Sequence, residues 1–258
     1  MNFIFDIDGT LCFHGKPVSS DILDVLCELQ NQGHLVAFAS ARHCRDILPV
    51  LDSRFHNHLL IGGNGAVTYY EGRVAGIRPI PEKVFREAVV RLDRCHASYL
   101  IDTAWDYYYQ GADDHPFLAK VDNLKLAHRI RLEEIDQPVK ILVTESSDPQ
   151  RLKKEMETLG IDIHHHSLEE VLDITAGGVD KWNAVHDFGL SGEDSVCFGN
   201  DTNDLPLFRQ AARSVLIGNH PLLRELATDQ IEVDEQFDQK LIDKLMEIAK
   251  LKEVSIDY

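Results

Sequence analysis

Two aspartates, two residues apart at the end of an apolar run, are the residues of this chain best placed to do chemistry. Residues 3–11 read Phe-Ile-Phe-Asp-Ile-Asp-Gly-Thr-Leu. An apolar, β-favouring start bounded by turn residues predicts a buried strand of a parallel sheet. Extended backbone points Asp6 and Asp8 to one side, and Gly9 allows a sharp turn after them. Two carboxylates held together repel and raise each other's pKa unless a cation lies between them. A hard, oxygen-seeking ion such as Mg²⁺ meets that need.

Three further polar groups follow apolar runs or open helices. Ser40, after the run 35–39, offers a hydroxyl and free backbone N–H groups that suit a phosphate oxygen or simply cap a turn. Arg42 beside it is either a surface residue or an anion contact. Lys181 follows Gly177-Gly178-Val179-Asp180 and starts a helix. It is either a solvated first-turn lysine or a point charge holding an anionic nucleophile and a phosphate; Asp180 reads as that helix's N-cap. Residues 199–204, Gly-Asn-Asp-Thr-Asn-Asp, put two carboxylates and two carboxamides within reach of one another at the end of the run 195–198. All four can offer oxygen to a hard cation, and an Asx-rich turn has the same composition.

These groups need a scaffold that brings distant strand ends together. Ser19-Ser20-Asp21 opens an amphipathic helix that Gly33 stops, and the run 35–39 follows, so a β-α-β order is complete within forty residues. A helix over 43–51, irregular near Pro49, precedes a short strand at 59–61, Gly62-Gly63-Asn64-Gly65-Ala66 and a hairpin over 67–77. The pattern changes at 79–81. Helices at 81–95 and 149–159 and strands near 99–101, 107–109, 139–144, 161–165 and 171–175 then predict a second α/β assembly. From Ala176 the first pattern returns, with strands at 195–198 and 215–217 and helices at 205–212, 221–227 and 237–250. His164-His165-His166 alternate across a strand and do not form a metal cluster, and Trp105 to Tyr109 read as packing. In open parallel sheets ligands bind at the carboxyl ends of strands, where every candidate group lies.

The composition bounds the function. The chain has 258 residues, 44% hydrophobic and 27% charged, as an ordinary globular protein does. Its net charge of −17 argues against nonspecific binding to nucleic acid or an anionic membrane. No apolar run approaches the roughly 20 residues that span a bilayer. The five scattered cysteines lack CxxC spacing and, with no cleavable leader ahead of the first strand, predict free thiols in a reducing, cytoplasmic setting.

Taken in order, Asp6-Ile-Asp8-Gly-Thr, Ser40, Lys181 and Gly199-Asn200-Asp201-Thr202-Asn203-Asp204 resemble the motifs of the haloacid dehalogenase (HAD) superfamily. Asn64-Gly65-Ala66 and the placement of the insert are similar to the Cof-like branch with a C2-type cap. The resemblance spans the chain and implies an α/β fold: a Rossmann-like parallel-sheet core (1–79 and 177–258) with an inserted smaller α/β cap (80–176). It implies a Mg²⁺-dependent phosphatase acting on small phosphorylated metabolites, sugar phosphates foremost. Asp6 would be the nucleophile, Asp8 the general acid/base and Lys181 the catalytic cation. Gly9, Ser40, Arg42, Lys181 and Asn203 would bind phosphate, and Asp6, Asp8, Asn200 and Asp204 the metal. The family writes aspartate where this chain has Asn200, so either Asn200 ligates through its carbonyl oxygen or Asp201 or Asp204 takes that place. A sugar phosphomutase, or a phosphometabolite-binding protein weakened at Asn200, are the alternatives.

Overall fold

The computed structural model describes residues 1–13, 17–166 and 171–253. The first five strands are β1 (Asn2–Phe5), β2 (Leu35–Ala39), β3 (Leu59–Gly62), β4 (Val67–Tyr70) and β5 (Arg73–Ile77). Then come β6 (Ser98–Asp102), β7 (Tyr107–Gln110), β8 (Lys140–Glu145), β9 (Ile161–His166) and β10 (Val171–Ala176). The last three are β11 (Ser195–Gly199), β12 (Arg213–Ile217) and β13 (Asp229–Ile231). The helices are α1 (Ser20–Asn31), α2 (Cys44–Ile47), α3 (Glu82–Arg94), α4 (Pro149–Glu157), α5 (Lys181–Asp187), α6 (Leu205–Gln210), α7 (Pro221–Arg224) and α8 (Phe237–Glu253).

Two sheets result. One has eight strands in the order β13-β12-β11-β1-β2-β3-β4-β5, the other five in the order β7-β6-β8-β10-β9. From β13 to β3 the pairing is parallel, and β4 and β5 add an antiparallel hairpin. Phe3, Phe5, Phe38 and Phe198 stack on one face of the central strands, with Phe5 and Phe198 centroids 4.5 Å apart. Each such pair adds about 0.5–1.5 kcal/mol beyond the burial of its area. That stack fixes the register of β11, β1 and β2, whose carboxyl ends carry Asn200, Asp6 and Ser40. Leu26 and Leu29 of α1 and Leu241 and Leu245 of α8 cover this face, while Val185, Phe208 and Leu223 of α5, α6 and α7 cover the other. Helices on both faces of a parallel sheet are the doubly wound arrangement expected.

The five-stranded sheet, antiparallel throughout, lies wholly between β5 and α5 in sequence. Its helices α3 and α4 pack on one face through Phe85, Leu92, Leu152 and Met156. The opposite face turns Asp102, Lys140 and Asp173 toward the large sheet. There the two sheets are tied by buried polar contacts. The guanidinium of Arg45, fully buried, bonds the Asp102 carboxylate and donates to the Trp105 carbonyl at 2.7 Å. Lys140 Nζ donates to the carbonyl of Ala41 at 2.8 Å and pairs with Asp173. His43 Nδ1 accepts from the Arg45 amide, which leaves Nε2 to donate to the Thr103 carbonyl at 3.1 Å. Burial pushes the His43 pKa down to about 3, so the ring is neutral. Trp105 stacks on Tyr69 of the hairpin, and Tyr107 lies under the Arg45 guanidinium. The aromatic cluster therefore packs the seam between the sheets.

Candidate active site

The site is built where β1, β2 and β11 end side by side. Asp6 follows β1 and is 4% exposed. Its amide donates to the carbonyl of Phe198, which carries the parallel ladder one step past the strand. Beyond it the chain turns through Gly9, at φ +82°. A side chain there would be strained by that angle, and its Cβ would come within 2.2 Å of the Asn200 carboxamide.

Lys181, fully buried, donates to Asp6 Oδ1 at 2.7 Å and to Asp204 Oδ1 at 2.6 Å. The solvated alternative for this lysine is thereby excluded. Asp180 caps α5 by accepting from the Asn183 amide at 2.7 Å, which fixes the first turn that aims Lys181 inward. Burial works against the ammonium charge, but Asp204 and Asp6 outweigh it and hold the Lys181 pKa above the ordinary value. Asp6 is pushed up to about 7, first by burial, which Lys181 opposes, and further by the charges of Asp204 and Asp8. One buried ammonium thus serves two buried carboxylates.

Asp204 has both oxygens engaged. Oδ1 faces Lys181, and Oδ2 accepts from the amides of Asn200 and Asp201 at 2.9 and 3.1 Å. It shapes the loop after β11 and positions Lys181. Asp201 is exposed and turns back on its own helix start, accepting from the Thr202 amide. Asn200, and not Asp201, faces Asp6 and Asp8. Its carboxamide lies 3.1 Å from the Asp8 carbonyl and from Asp6 Oδ2, and 3.2 Å from Thr10 Oγ1. Among the described residues no group of three or more His, Cys, Asp or Glu side chains is arranged to hold a metal ion. Three potential ligands nevertheless converge: one carboxylate oxygen, one backbone carbonyl and one carboxamide.

Asp8 points outward and is clasped by Arg42 through two bonds of 2.7 Å, from Nε and a terminal nitrogen. The Asp8 hydrogen bond is the main reason that the Arg42 pKa is raised. Arg42 is therefore not a free surface residue. Ser40, 1% exposed, follows β2, and its Oγ accepts from the Arg42 amide at 3.1 Å. Asn203 donates to Asn64 Oδ1 at 3.0 Å. Cys12 stays a thiol, since burial pushes its pKa up to about 11. All five cysteines are free.

Asn64 was singled out in the sequence only as part of a recurrent segment, yet it stands inside the site. It takes a left-handed conformation, φ 56°, is 1% exposed, and its amide donates to the carbonyl of Ser40 at 3.0 Å. Its Nδ2 is buried with no hydrogen-bond partner among the described residues. Gly65 follows at φ +109°, and a Cβ there would lie 2.1 Å from the carbonyl of Asp180. The bare glycine lets this turn press against the start of α5. An asparagine between two glycines, a residue type enriched in the left-handed region, was the available signal.

The arrangement suits attack on an anionic, tetrahedral centre: one buried carboxylate, one exposed carboxylate, a buried ammonium and a guanidinium at one sheet edge. Comparison with known proteins points the same way. A model of the haloacid dehalogenase-like hydrolases matches residues 3–238. The Bacillus subtilis protein named "Putative phosphatase YkrA" is 26% identical over 231 residues, covering 86% of this chain and 88% of its own. The HMP-PP phosphatase of Yersinia pestis is 25% identical over 237 residues, covering 83% and 82%. Among solved structures, the HAD subclass IIB sugar phosphatase BT4131 superposes with a TM-score of 0.73 at 19% identity, covering 95% of this chain and 97% of its own. At that identity the likeness concerns the fold. The chain belongs to the haloacid dehalogenase-like hydrolases, in their Cof-like branch.

Proposed function

We propose that this enzyme, a phosphoric monoester hydrolase of the HAD family, is Mg²⁺-dependent and cleaves small phosphorylated metabolites through an aspartyl-phosphate. The observation that carries the reading is Asp6, a buried carboxylate held by the buried ammonium of Lys181 beside Asp8. Asp6 attacks phosphorus as the ester P–O bond breaks, and the Asp8 carboxyl delivers a proton to the leaving oxygen. Water then attacks the acyl phosphate, giving its proton to Asp8 and releasing phosphate. Lys181 keeps Asp6 oriented and offsets charge on the phosphoryl oxygens, with Ser40, Asn203 and the backbone at Gly9 as further phosphate contacts. Arg42 clasps Asp8 at rest; an arriving phosphate offers the same fork a second anion, and its transfer frees Asp8 to carry a proton.

The converging oxygens of Asp6 and Asp8 and the Asn200 carboxamide fit a hard cation, with Asp204 supporting the loop. Bound there, Mg²⁺ would neutralise charge on the nucleophile and the phosphate. Residues 80–176 form the inserted cap in this reading, and residues 1–79 and 177–258 the core. Two relatives carry phosphatase names, one of them on HMP-PP, which supports a small phosphorylated substrate. The test is phosphate release from a panel of small phosphomonoesters, in Mg²⁺ and in EDTA. Metal-dependent release is expected. A folded protein that binds phosphorylated ligands and releases nothing would favour the weakened binding protein.

A further inference from the structure

The Asn200 carboxamide meets the Asp8 carbonyl and Asp6 Oδ2 at 3.1 Å each, and its two orientations have opposite consequences. With oxygen foremost, the Asn200 carbonyl stands against two other oxygens, each 3.1 Å away. That separation is close to the roughly 3.0 Å between neighbouring ligands of an octahedral Mg²⁺ with bonds of about 2.1 Å. Without a cation that contact is repulsive. With nitrogen foremost, the NH₂ group donates to both, and a carbonyl and a carboxylate can only accept. Thr10 Oγ1, at 3.2 Å, can donate or accept and so tolerates either orientation. Gly9 has no side chain to hinder the far end of the carboxamide, where a Cβ would lie at 2.2 Å.

We propose that Asn200 is a two-position switch, with its nitrogen closing the cation seat in the metal-free protein and its oxygen completing the seat when a divalent cation enters. The inference rests on reading this cluster as the cation seat of a phosphatase. An aspartate at this position could not close the seat. It would also set a third carboxylate around the single ammonium that serves Asp6 and Asp204. The asparagine therefore trades cation affinity for a metal-free state whose hydrogen bonds are satisfied internally.

The test compares the wild type with Asn200→Asp by Mg²⁺ calorimetry and by thermal unfolding in EDTA. N200D should bind Mg²⁺ about tenfold more tightly, through its added ligand charge. In EDTA it should melt below the wild type, and saturating Mg²⁺ should reverse that order. In ¹⁵N spectra of the wild type, the side-chain NH₂ signals absent from N200D should shift as Mg²⁺ is added. Unchanged or weaker affinity in N200D, equal stability in EDTA, unmoved NH₂ signals, or a variant that fails to fold even in Mg²⁺ would each overturn the switch. Metal-dependent phosphate release alongside such a result leaves the phosphatase reading standing. Absence of both Mg²⁺ binding and phosphate release removes the reading and the switch together.

Discussion

Replacing Lys181 with methionine tests the charge arrangement at its centre. Methionine keeps most of the side chain's length and removes the one cation between Asp6 and Asp204, with which Lys181 bonds at 2.7 and 2.6 Å. Removing one partner from a buried ion pair costs about 3–5 kcal/mol, because the remaining charge is left uncompensated. Here two carboxylates remain, so the upper end applies if both stay ionised. The protein has a partial escape. Asp6 is already pushed up to about 7, mainly by burial, and loses its opposing lysine in the variant. It will take up a proton near neutrality. The cost measured by urea unfolding in EDTA should therefore be about 3–5 kcal/mol at pH 8 and should shrink as the pH falls toward 5. Adding Asp204→Asn should recover part of the loss, because the two residues are in contact and their effects do not add. Turnover should fall by about 10²–10³ or more, as when a preorganised donor is removed from a reacting anion. A K181M cost below about 1 kcal/mol, or one independent of pH, would refute the account.

The wild type's own pH dependence has a defined sign. Folded Asp6 holds its proton up to about 7, whereas an ordinary aspartate releases it near 3.8. The folded state therefore binds more protons between those values, and the Asp6 contribution to stability falls as pH rises through that window. Melting temperatures in EDTA should show this slope as a difference from Asp6→Asn, which cannot titrate and which should fold yet lose turnover. Equal slopes in the two proteins would remove the buried-carboxylate argument. For Arg42→Ala, the pair with Asp8 is partly exposed, with side-chain exposures of 32% and 49%. Unfolding should change by less than about 1 kcal/mol, while KM for a phosphomonoester rises; an unchanged KM would leave Arg42 without a substrate role.

The site was legible in the sequence wherever a polar cluster ends an apolar run. Asp6, Ser40 and Asn200 follow β1, β2 and β11, and strand-end chemistry is a local pattern. The parallel core and the second sheet were legible for the same reason, since length and breakers separate strands from helices. What escaped depends on contacts between distant residues. Nothing near Lys181 indicates full burial; Asp6 and Asp204, far from it in sequence, create it. Arg45 sits in a short polar stretch, and only the approach of Asp102 and Trp105 buries its guanidinium. The irregularity expected near Pro49 in the helix over 43–51 is local and was legible: α2 stops at Ile47 and continues as a 3₁₀ turn, Leu48–Val50. Pro49 has no N–H with which to extend the α-helical ladder. β13, three residues long, exists through its ladder with β12 and has no sequence pattern of its own.

The return of the chain from the small sheet to the large one couples two parts that look separate. β10 ends at Ala176, and after a single turn Lys181 begins α5. The Gly178 amide in that turn donates to Asp162 Oδ2 of β9 at 2.7 Å, and Asp180 caps the helix. The residue that neutralises Asp6 is thus hung from the edge of the inserted sheet, as a lever arm is hung from its pivot. A carboxylate of the second sheet, Asp162, therefore helps to set where the helix that carries the Asp6 counter-charge begins.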